Sequence, residues 1–61
     1  MKRKRLFFEG RTFDLSRLSA VRRHGRRIYA TYYDAPIIMA SYDGIDDAKQ
    51  GREYIREKTG K

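Results

Sequence analysis

Short runs of strand-forming residues alternate with turn residues over the first two thirds of the chain, and a helical stripe follows. Apolar and β-branched or aromatic residues gather in 5–8, 12–15, 18–23, 26–33 and 37–42. Turn signals separate these runs at Glu9-Gly10, His24-Gly25, Asp34-Ala35-Pro36 and Asp43-Gly44. Residues 5–8 and 12–15 read as a small first hairpin or as one strand interrupted at Gly10. Residues 18–23 and 26–33 read as a second hairpin, and 37–42 as a further strand with Pro36 just outside its start. Beyond Gly44 the period changes. Ile45, Ala48, Gly51 or Arg52, and Ile55 recur at helical spacing with Tyr54 beside them, so a helix is expected over 45–58. Asp46 and Asp47 in its first turn and Arg56 and Lys58 near its end suit the helix dipole, and Gly60 suits its stop. Gly51 inside the helix is expected to mark close packing against the sheet.

The expected fold is α+β: a small antiparallel β-meander of three to four strands over 5–42, with one C-terminal helix packed on one face. Residues 1–61 form one domain, and 1–4 read as a basic arm free to be disordered.

A loop at His24-Gly25 would pair Val21 with Ile28 and Leu18 with Thr31. Alternation then places Val21, Ile28, Ala30 and Tyr32 on one side. Leu18, Ala20, Tyr29 and Tyr33 fall on the other, a tyrosine-bearing face that one helix cannot also cover. These four residues are the expected interface of a homodimer. A chain of 61 residues has a thin core, and oligomerisation is one remedy.

Composition narrows the chemistry. With no cysteine there is neither a disulfide nor a thiolate zinc site, and a single histidine makes a structural metal improbable. After the basic start, only Leu6-Phe7-Phe8 precede Glu9, too short for a signal-peptide core, and no run approaches a membrane span. A cytoplasmic protein with no membrane partner is expected. Five tyrosines and three phenylalanines argue for a packed domain despite the high charge.

The formal net charge of +7 predicts attraction to phosphate polymers or acidic surfaces. Arg22, Arg23, Arg26 and Arg27 crowd one hairpin tip, where like charges do nothing for the sheet. Guanidinium forks on a two-stranded ribbon can grip phosphate oxygens of DNA or RNA, and Lys2, Arg3, Lys4 and Arg5 supply a second basic patch. The plainer alternative is a solvated tip that serves solubility. Tyr29, Tyr32 and Tyr33 could stack bases, although strand tyrosines more often pack in a core or an interface.

Other chemistry is weak. His24 has no identifiable nucleophile or orienting partner. Asp43, Asp46 and Asp47 lack the spacing of an EF-hand loop, and no glycine-rich phosphate loop occurs. A non-enzymatic binding protein with no cofactor, no metal and no small-molecule substrate is therefore expected. Nucleic acid is the leading partner, and a homodimeric interaction module is the alternative.

The strand-strand-strand-helix order read over 26–58, with aromatics in its strands, is similar in outline to the small DNA-binding domains at the N-termini of some phage integrases, whose sheet lies in the major groove. It is equally similar to the final strands and helix of pleckstrin-like modules, which are protein or lipid interaction units. Both likenesses are of element order, and fold outline does not fix function.

Overall fold

The structure is a computed structural model that describes residues 4–61. Five antiparallel strands form two small sheets, and one helix packs against them. Strands β1 (Arg5–Phe8) and β2 (Arg11–Asp14) make the first hairpin. A short 3-10 turn at Leu15–Arg17 leads into β3 (Leu18–His24), β4 (Arg27–Tyr32) and β5 (Ala35–Ser41), a three-stranded meander. Helix α1 spans Ile45–Thr59. The expected fold class holds, with five strands in two sheets where three to four were expected. The first hairpin pairs Phe8 with Arg11, so it is a true hairpin with two loop residues.

Hairpin and helix together cover one face of the meander. Leu6, Phe8 and Phe13 from the first hairpin meet Leu18, Val21, Ile28, Ala30 and Met39 from the meander and Ile55 from α1. Tyr32 closes the edge of this core, its ring 5.3 Å from that of Phe13 at 80° and its hydroxyl accepting from the Asp14 amide at 2.8 Å. Burying an aliphatic or aromatic side chain is worth about 1.5–3 kcal/mol, and these residues supply the main attraction between the layers.

Gly51 packs closely against the sheet, as expected from the sequence. A Cβ there would collide with the Tyr42 hydroxyl and stand 3.2 Å from Ile28 Cδ1. Gly60 ends α1 in the left-handed region, and its amide donates to the Arg56 carbonyl at 2.7 Å.

The register of the second hairpin differs from the expected one. His24 pairs with Arg27, Arg23 with Ile28 and Arg22 with Tyr29, so the loop is Gly25-Arg26. Only Gly25 of that loop has a positive φ, at 63°. A two-residue loop with glycine first satisfies this, whereas a His24-Gly25 loop with both residues left-handed would put a side chain at the strained position.

Two irregularities then reset which residues face the core. Between Ser19 and Arg22 the pairing shifts at Ala20, whose φ is 53°, and in β5 it shifts opposite Ile28 and Tyr29. The extra residue lets Leu18 and Val21, three apart, both point inward.

Three of the four residues assigned to the open face consequently sit elsewhere. Leu18 is buried at 1% exposure, Ala20 sits in the bulge, and Tyr33 belongs to the Tyr33-Asp34 turn, where φ is 52° and 62°. Only Tyr29 of that set lies on the open face. Pro36 falls inside β5, which pairs on one side alone, so its missing donor is tolerated.

Candidate nucleic-acid interface

With hairpin and helix on one side of β3-β4-β5, the other side is open among the described residues. Register arranges it in rows across three strands. Arg22, Tyr29 and Ile38 form one row, and His24, Arg27 and Ser41 the next. Ser19, Thr31 and Pro36 form the third. The His24 and Tyr29 rings meet edge to face at 6.4 Å, which ties the first two rows together.

Arg22, Arg26 and Arg27 are exposed. Arg23 is not equivalent to them. It is paired with buried Ile28, is half-buried, and its Nη1 donates to the Gly25 carbonyl at 2.8 Å. That bond braces the turn from the core side, so Arg23 positions the tip while Arg22 and Arg27 flank Tyr29 on the open face.

The second basic patch is not beside the first. Lys2 and Arg3 lie outside the described residues. Lys4 and Arg5 are exposed, and the Lys4 carbonyl accepts from the Leu15 amide at 3.1 Å. This places the arm's root near the Leu18 end of β3, whereas the arginine tip is at the His24 end, roughly 20 Å away by strand rise.

Charge is segregated along the sequence. From Leu15 to Tyr33 there are five arginines and no carboxylate. Helix α1, in contrast, balances Asp46, Asp47, Glu53 and Glu57 against Lys49, Arg52, Arg56 and Lys58. The excess positive charge of the described residues therefore resides mainly on the β3-β4 ribbon and at the start of β1.

Sequence reasoning missed a second surface, on the hairpin-helix layer. The β1-β2 turn, Tyr42 and α1 enclose an open-sided groove of about 450 Å³. Tyr42 donates to Glu9 Oε2 at 2.5 Å. Its hydroxyl pKa is pushed well above the usual tyrosine range, first by burial, then by the hydrogen bond to Glu9 and the negative charges of Glu9 and Asp47. The groove-lining residues come from three separate stretches of sequence, with no local motif to announce them.

Among the described residues, no group of histidine, cysteine or carboxylate side chains could hold a metal ion, and no helix is long and apolar enough to cross a membrane. Compared with known proteins, the chain matches no family model, no curated protein and no solved structure.

Proposed function

We propose that the protein binds nucleic acid through backbone phosphates, with the open face of β3-β4-β5 as the contact surface. Arg22, Arg26 and Arg27 neutralise phosphates, Tyr29 offers an aromatic surface between them, and His24 contributes a hydrogen-bond donor. The observation that carries this reading is the placement of Arg22 and Arg27 around Tyr29 on an uncovered sheet face, on a ribbon without a carboxylate. Lys4 and Arg5 belong to the hairpin layer on the opposite side of the meander and are not part of this contact surface. Phosphate contacts position the protein without reading bases, so binding is weakly sequence-selective.

Titration of labelled duplex and single-stranded DNA and RNA at two salt concentrations tests the reading. Binding should weaken steeply with salt, and Arg22→Gln with Arg27→Gln should lower the log–log salt slope by about two. Absence of binding at low salt, or a slope unchanged in the double variant, overturns it.

A second reading, a homodimer through the same face, draws on Ile38, which is 46% exposed and paired with Tyr29. Sedimentation equilibrium separates the two. A dimer dispersed by Tyr29→Ser with Ile38→Ser and unaffected by nucleic acid supports self-association.

A further inference from the structure

The groove on the hairpin-helix layer has chemistry opposite to that of the open sheet face. Phe7 stands 67% exposed at its rim, and Tyr54, 41% exposed, stacks on Phe8 with ring centroids 5.9 Å apart. Glu9 and Asp47 bring two carboxylates into the same 450 Å³ space. The left-handed Glu9-Gly10 turn, with φ of 50° and 75°, delivers Glu9 to Tyr42, whose hydroxyl holds one carboxylate oxygen. A carboxylate so held keeps lone pairs for a further donor.

Aromatic side chains beside one held carboxylate, Glu9, and a second, exposed one, Asp47, favour one ligand class, an organic cation whose charge meets the carboxylates while its stem or plane lies on the rings. The chain itself provides a precedent, because Lys58 Nζ stands 5.7 Å from the Tyr54 ring centroid. An acidic, aromatic groove is out of keeping with a molecule of net charge +7.

We infer that this groove is a docking site for the guanidinium or ammonium of an arginine or lysine side chain presented by a partner protein. The complementarity has two parts: the Glu9 and Asp47 carboxylates for the charge, and exposed Phe7 with the exposed part of Tyr54 for the planar or aliphatic portion. The open side and the exposed rim suit a side chain projecting from a larger body, whose neighbouring residues rest on Phe7. A single side chain is the unit of recognition. A long basic segment would meet repulsion from the rest of this cationic chain, although salt screens such repulsion beyond about 8–10 Å.

The site uses none of the residues of the proposed phosphate-binding face, so the two can fail independently. The probe is the peptide acetyl-Gly-Arg-Gly-amide, titrated into the isotope-labelled full chain and followed by amide NMR shifts. The same peptide with neutral citrulline replacing arginine is the control.

Saturable shifts at 7–10 and 47–54 with arginine, and far weaker ones with citrulline, are expected. Glu9→Gln, which keeps an acceptor for Tyr42, and Asp47→Asn should together weaken binding by about tenfold or more. Phe7→Ala, at an exposed position that leaves the core intact, should weaken it independently. Equal shifts with citrulline, shifts confined to other residues, or no saturation each overturn the proposal. A dimer in sedimentation that Glu9→Gln with Asp47→Asn disperses also overturns it, by assigning the groove to a second copy of the chain.

Discussion

Tyr42 joins three parts of the molecule through one side chain. Its amide donates to the Arg26 carbonyl at 2.9 Å, its hydroxyl donates to Glu9, and its ring end fills the space that Gly51 leaves open. Tyr42→Phe should cost about 1 kcal/mol near pH 8, the usual worth of one such hydrogen bond. Because the folded pKa lies above the unfolded value, the phenol is protonated in both states below about pH 10. Above that pH the unfolded chain releases the proton while the folded chain retains it, so alkali disfavours folding. The stability gap between wild type and Tyr42→Phe should therefore narrow as pH rises past 10, as measured by urea unfolding at pH 8 and pH 11. At this scale the sequence is only partly legible. Gly51 in a helical stripe announces a close approach, but nothing local identifies Tyr42 and Glu9, 33 residues apart, as the partners.

Among the elements, the helix is the most legible. Its stripe, first-turn acids and Gly60 stop place it within one residue of its observed end at Thr59. The strands are legible as strands, whereas their faces are not. Alternation assumes an unbroken period of two, and the irregularity at Ala20 breaks it. Leu18 and Val21 carry the hint, since two strong core formers three apart cannot both face inward on a regular strand. The turn at Gly25-Arg26 is similar. His24-Gly25 and Gly25-Arg26 both contain the glycine, and the choice depends on which loop position requires positive φ. Ala20 holds φ 53° in an exposed bulge, a conformation that costs an L-residue about 1–2 kcal/mol. Ala20→Gly should therefore raise the midpoint of urea unfolding, with a gain of about 0.5–1 kcal/mol after the unfolded-state entropy of glycine is counted. An unchanged or lowered midpoint would show that the bulge is not strained.

Over the whole molecule, the basic surface was legible from charge alone and its division was not. Two arginine pairs around His24-Gly25 read as a single cluster, but strand pairing turns Arg23 toward the core side and separates the arm's root from the tip. The groove was invisible for the opposite reason, since its residues gather only when hairpin, Tyr42 and helix meet. Irregular pairing also bears on how copies of this chain meet. A three-stranded sheet has two end strands, each a template for a foreign strand. Here β3 is broken by the Ala20 bulge, while β5 carries Pro36 and a second bulge. In addition, the Ile38 carbonyl of β5 is occupied by Arg11 Nη1 at 3.0 Å. Pro36→Val should accordingly increase light scattering on prolonged incubation at high concentration, and equal scattering would remove Pro36 from this role. Both end strands of this sheet are thus poor templates, so the same irregularities that redistribute its faces also guard its edges against a further copy of the chain.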